Sequence, residues 1–190
     1  MRIQDLINES SGSTLAGSFT RDLTTSKVWL LTELAKIAPQ LFTMYVLGSW
    51  YGNLALYNTL QPMIGVDQII NVDIDPERLA QSQRMLTSVG ADNVEHMLRD
   101  ANELDYRQVG RGDAVINVSL TNMAQDQWFD RIPAGTMVVM QARDQDPGEQ
   151  YHSVQDILDR FPLSQVLYQG TMQLQDPETE YHRYMVIGIK

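Results

Sequence analysis

Residues 71–79 read Asn-Val-Asp-Ile-Asp-Pro-Glu-Arg-Leu (NVDIDPERL), and this stretch decides the fold. The run that enters it, residues 69–72, is short and apolar, as a buried strand requires. Asp75 followed by Pro76 fits a helix N-cap and first helical position, because proline lacks the amide donor that would be orphaned there. Leu79, Ser82, Gln83, Leu86 and Val89 then follow on a helix that Gly90 is placed to end. A strand leads straight into a helix, with Asp73 at the join.

The same alternation extends to both sides. Residues 43–47 predict a buried strand ending at Gly48, and residues 53–60 a helix stopped by Pro62. Downstream, residues 94–98, 114–118 and 137–140 read as strands, and residues 122–131 and 152–160 as helices. Residues 164–174 and 181–189 are longer strand-like runs joined by the polar turn QDPETE, so an antiparallel edge hairpin is expected. Five strand–helix alternations and a terminal hairpin predict an α/β, Rossmann-like, doubly wound and mostly parallel sheet over residues 41–190. Residues 1–40 are expected to form an N-terminal helical and loop extension. Residues 2–8 fit a short helix, residues 9–25 a Ser/Thr/Gly-rich loop, and Thr24 or Thr25 can cap a helix carrying Val28, Leu31, Leu34, Ala35 and Ala38. The long loop reads equally as a lid or as a loose arm.

Composition narrows the class. At 190 residues the chain suits one core, and 43% hydrophobic with 20% charged residues is the balance of a globular protein. No apolar run approaches the roughly 20 residues that span a bilayer, and the opening has no secretory h-region. Cysteine is absent, which removes disulfides, thiolate metal sites and a cysteine nucleophile. A cytoplasmic protein is expected. The net charge of −10 disfavours nucleic acid as a partner, since that binding rests on cations neutralising phosphates. Arg78, Arg84, Arg99, Arg107, Arg111 and Arg143 read either as solvated surface or as a local basic pocket. The apolar edge hairpin also leaves a homo-oligomer open.

In an open α/β sheet, ligands sit at the carboxyl ends of the strands. After the first strand come Gly48, Ser49, Trp50, Tyr51, Gly52 and Asn53, where glycine permits a tight turn and close backbone approach. The segment lacks GxGxxG spacing, and a plain strand–helix turn explains it as well. Asp73 can accept both hydroxyls of a ribose, or can merely end its strand; Asp75 already supplies the cap. Asp100 and Ala101 follow the third strand, where Asp100 can receive an exocyclic amine or serve as a loop residue. Asn117, Ser119, Thr121 and Asn122 follow the fourth and would face a substrate.

These four strand ends carry a resemblance. From residue 44 to residue 140 the chain resembles the class I S-adenosylmethionine-dependent methyltransferases, through VLGSWYGN, NVDIDPERL, RDA and DAVINVS. STLAGSFT, INVSLTNM, IPAGTMVVMQ and YHRYMVIGIK are further similar to small bacteriophage-encoded methyltransferase-like proteins. The resemblance implies seven strands with the last reversed, S-adenosylmethionine as cofactor, and Gly48, Ser49, Trp50, Tyr51, Asn53, Asp73, Ile74, Asp100, Ala101 and Asn117 as its contacts. Asn117, Ser119 and Asn122 would stand at the reacting end. Where those phage proteins carry a Glu-His pair, this chain has Thr121-Asn122, which puts a general base there in doubt.

Methyl transfer from a sulfonium needs alignment more than acid–base help. No GxSxG hydrolase elbow occurs. NVSL stands where amino-group nucleic-acid methyltransferases have an Asn-Pro-Pro-Tyr-type motif. The expected function is therefore methylation of a small molecule or a protein. Cleavage of S-adenosylmethionine, transfer of its aminocarboxypropyl arm, and a non-catalytic phage accessory role are the alternatives. His96 reads as packing and His182 as exposed; His152, with Gln141 and Arg143, is a candidate for the acceptor pocket. The histidines have no metal-ligand spacing, so no metal is expected.

Overall fold

A computed structural model describes residues 14–123, 125–144 and 151–190. The helix expected over residues 2–8 and the first part of the expected loop lie outside them. The elements in order are α1 (Thr14–Gly17), α2 (Arg21–Ile37), β1 (Gln40–Leu47), α3 (Asn53–Leu60), β2 (Gly65–Asp73), α4 (Pro76–Ser88), β3 (Val94–Leu98), β4 (Ala114–Asn117), α5 (Gln127–Arg131), β5 (Met137–Arg143), α6 (Val154–Arg160), β6 (Gln165–Gln175) and β7 (Glu180–Ile189).

The strands form one seven-stranded sheet in the order β3-β2-β1-β4-β5-β7-β6. β1 to β5 are parallel, and β7 runs antiparallel to both β5 and β6. This is the doubly wound sheet with a reversed last strand that the sequence predicts. Successive strand residues face opposite layers. On β5 and β7, Val139, Met185 and Ile187 enter one core with Leu30, Leu34, Leu54 and Met85. Val138, Met140 and Val186 enter the other with Trp128, Phe129 and Phe161. In this second layer the three aromatic rings lie 5.2–5.6 Å apart.

Asp75 caps α4 by accepting the amides of Glu77 and Arg78, with Pro76 in the first turn as read. Several boundaries shift because tertiary contacts outweigh local propensity. α2 begins at Arg21, inside the expected loop, because Asp22 in its first turn is buried and accepts the Tyr181 hydroxyl of β7 at 2.7 Å. Leu30, Leu31 and Leu34 of α2 are fully buried in the core, and the boundary expected at residues 40 and 41 falls inside β1. The single helix expected over residues 122–131 is instead a 3-10 turn (Leu120–Asn122) and α5. Its start is set by Asn102, whose side-chain oxygen accepts the Trp128 amide at 3.0 Å.

Candidate functional site

Strand order reverses between β1 and β4, and a cavity of about 690 Å³ opens over the carboxyl ends of the strands there. Its floor is the β1–α3 turn. Gly48 has φ +59°, and a Cβ on it would lie 2.7 Å from Ser119 Cβ, so the β1 and β4 loops touch. The Ser119 hydroxyl donates to the Gly48 carbonyl at 3.2 Å. Trp50 also has positive φ, 55°, the one non-glycine residue to do so among those described. Such backbone is sparsely populated and persists only where the surroundings impose it. The Asp73 carboxylate imposes it, accepting the Trp50 amide at 2.8 Å.

Asp73 is buried, lines the cavity, and accepts the Asp75 amide at 3.0 Å with its other oxygen. Asp73 thus does more than end its strand, since each oxygen holds a backbone amide. Each keeps a further acceptor site. Ser49 lines the cavity beside it, and its buried hydroxyl has no partner among the described residues. Ile74 lines the rim and is 71% exposed, an apolar face without cover among the described residues. Asp100 caps the 3-10 turn Ala101–Glu103 through one oxygen, which accepts the Asn102 amide at 2.8 Å. Asp100, Ala101, Ser119, Thr121 and Asn122 all line the cavity.

Two expected contacts, Tyr51 and Asn117, are placed otherwise. Tyr51 is buried against Trp50, with ring centroids 5.1 Å apart, and is not among the lining residues. Asn117 is fully buried and also off the wall: its oxygen accepts the Ser119 amide at 3.0 Å and its amide faces Met123 Sδ at 3.2 Å. It shapes the β4 turn that presents Ser119, and cannot touch a substrate directly. Asn53 does line the cavity, but its amide donates to the Ser18 carbonyl at 2.8 Å. That bond ties the segment between α1 and α2 to the edge of the cavity.

The acceptor-pocket trio separates. Gln141 is buried and bonded to Ser26, while His152 lies in a second cavity with His182 and Tyr184. Only Arg143 lines the main cavity. His96 packs against Ser82 at 2.8 Å, and burial lowers its pKa. The exposed His182 stacks on Tyr184 and pairs with Asp144.

Two cations of the wall escaped the sequence reading, Lys27 of α2 and Arg183 of β7. Burial, and then the charge of Arg183, hold the Lys27 amine well below the usual lysine range. Lys27 shares a helix face with Leu23, Leu30 and Leu34, and Arg183 interrupts the buried half of β7. A cation on an apolar face was the available signal in both. Among the described residues no cluster of acids and histidines could hold a metal ion.

No protein-family model matches the chain, and no curated protein is significantly similar in sequence. Solved structures are similar in fold. An rRNA methylase from Streptococcus thermophilus has 17% identity over 90% of this chain and 99% of its own, with a TM-score of 0.57. Magnesium protoporphyrin IX methyltransferase from Synechocystis, solved with S-adenosylmethionine bound, has 13% identity over 99% and 98%, with a TM-score of 0.63. An S-adenosylmethionine-dependent methyltransferase from Aquifex aeolicus has 11% identity over 87% and 97%, with a TM-score of 0.58. The chain has the fold of these methyltransferases.

Proposed function

We propose that the protein is an S-adenosylmethionine-dependent methyltransferase that acts on a small molecule or a protein. One observation carries this reading: the cavity at the switch point joins a buried, unpartnered Ser49 hydroxyl to the Asp73 carboxylate and the uncovered Ile74. This set fits a nucleoside. Asp73 and Ser49 offer hydrogen-bonding atoms for ribose hydroxyls, Ile74 an apolar face for a base, and Asp100 an acceptor for an exocyclic amine. The cofactor supplies an electrophilic methyl group on a sulfonium.

The protein's own residues then have three tasks. Asp73 and Gly48 fix the β1 turn and so hold the floor of the cavity in place. Asn117 orients Ser119, which with Thr121 and Asn122 bounds the side where a nucleophile would approach. Ser18, held by Asn53, forms part of the cavity wall beside α1, where it would help shield a bound cofactor from water. The described wall carries no histidine, and its Thr121-Asn122 pair supplies no general base. The acceptor's nucleophile would therefore need no proton removed by that pair, and alignment would provide most of the rate.

No described helix is long and apolar enough to cross a membrane; a cytoplasmic setting, such as that of a phage-infected host, accords with this reading. The test is calorimetry with S-adenosylmethionine and S-adenosylhomocysteine, followed by product analysis. Binding, with S-adenosylhomocysteine formed only when an acceptor extract is present, supports methyl transfer. Methylthioadenosine or homoserine lactone formed without acceptor would replace it with cleavage of the sulfonium. Absence of binding would refute the reading.

A further inference from the structure

We infer that the end of the cavity bounded by α2, β5 and β7 is a subsite for an anionic group of the acceptor, a carboxylate or a phosphate. This rests on the reading proposed above and adds the acceptor's charge to it. Three cations meet there: Lys27 from α2, Arg143 from the end of β5 and Arg183 from β7, all on the cavity wall. Arg143 and Arg183 are register partners across the β5–β7 ladder. Both guanidinium carbons lie 5.8 Å from the centroid of the Tyr181 ring, which holds them side by side. Like charges placed opposite each other on neighbouring strands destabilise a sheet. A chain of net charge −10 would not gather three of them without a use.

Among the described residues this charge is only partly compensated, by Tyr181 and Asp22 acting on Arg183. Among the described residues, none of the three has an acidic partner within ion-pair distance. Asp22, the acid that acts on Arg183, already accepts the Tyr181 hydroxyl at 2.7 Å. Arg183 is only 5% exposed, and its Nε has no hydrogen-bond partner. A buried, unpaired guanidinium N–H is costly, and a carboxylate or phosphate oxygen is the group that fits it.

Position argues for the acceptor over the cofactor. Asp73 ends β2, and β1 and β4 separate it from β5. At about 4.8 Å per strand the two ends lie roughly 14 Å apart. The nucleoside end and the cationic end thus flank the β4 loop from opposite sides, with Ser119 and Asn122 between them.

The test uses the full chain saturated with S-adenosylhomocysteine at low ionic strength, with inorganic phosphate and malonate as the titrated probes. The unmodified protein should bind one or both. Lys27→Met and Arg143→Gln should each weaken that binding about tenfold or more and leave S-adenosylhomocysteine affinity unchanged, while Arg143→Lys should retain part of it. If the protein binds S-adenosylhomocysteine but neither probe, the inference is overturned alone. If the variants lose S-adenosylhomocysteine affinity yet bind methylthioadenosine normally, the cations hold the cofactor's own carboxylate and the acceptor assignment falls. If S-adenosylhomocysteine does not bind at all, the proposed function fails and takes the assignment with it.

Discussion

Replacing Asp73 by asparagine separates two duties of one side chain. The carboxylate accepts the Trp50 amide at 2.8 Å and the Asp75 amide at 3.0 Å, one on each oxygen. An amide group can accept only one of them, and its NH₂ must face the other donor. Leaving one buried N–H unpaired costs about 1–3 kcal/mol. A domain of this size loses about 2–4 °C in Tm per kcal/mol, so a mid-range cost of about 2 kcal/mol lowers Tm by about 4–8 °C. That is within the stability of an ordinary domain, and the variant should fold. A ribose hydroxyl that donates to the carboxylate would lose a charge-assisted bond worth about 1.5–3 kcal/mol, which is about ten- to hundredfold in affinity. Thermal melts and calorimetry with S-adenosylhomocysteine measure the two effects on one sample. Unchanged affinity in the folded variant would refute the ribose role. An unchanged Tm would refute the two backbone bonds.

Other outcomes follow from the same structure. Gly48→Ala puts a Cβ 2.7 Å from Ser119 Cβ at φ +59°; the left-handed backbone alone costs about 1–2 kcal/mol, and urea titration should show at least that loss together with weaker S-adenosylhomocysteine binding. Phe161→Ala opens the aromatic cluster behind the sheet and should cost about 3–5 kcal/mol while cofactor affinity per folded molecule holds, because Phe161 is not on the cavity wall. Lys27 has a lowered pKa in the folded protein, so in the alkaline range the unfolded chain binds the extra proton. The Lys27 contribution to stability should therefore rise with pH, from its lowered folded value up to its unfolded value near ~10.4. Melts of wild type and Lys27→Met across that range would show the gap closing, and a parallel pair of curves would contradict the burial of the amine.

Much of the frame was legible because local chemistry and tertiary structure agree. Asp75-Pro76 caps α4 through local chemistry, and the short runs that lead into Gly48, Asp73 and Arg99 are strands that deliver residues to one edge. What failed depended on side-chain direction. A strand end says that Asn117 is near the cavity, but not that its amide turns back to hold the Ser119 amide. Tyr51, one position from Trp50, packs inward for the same reason. The start of α2 required knowledge that Tyr181, far along the chain, would bond Asp22. Lys27 and Arg183 were passed over because a cation on an apolar face acquires meaning only when another element brings a second one to it.

The position of β7 bears on how the molecule is made. It lies between β5 and β6 yet follows both in sequence, so a ribosome releases β6 before the strand that will join it to the sheet. The hairpin can form locally, since Asp176 ties its turn by accepting the amides of Glu178 and Thr179. Docking that hairpin onto β5 is non-local, and contacts of that kind are expected to form slowly. It delivers Arg183 beside Arg143 at the same moment. Closure of the sheet and completion of the cationic wall are one event, so a nascent chain whose hairpin has not yet docked would carry the Asp73 end of the cavity without its opposite wall.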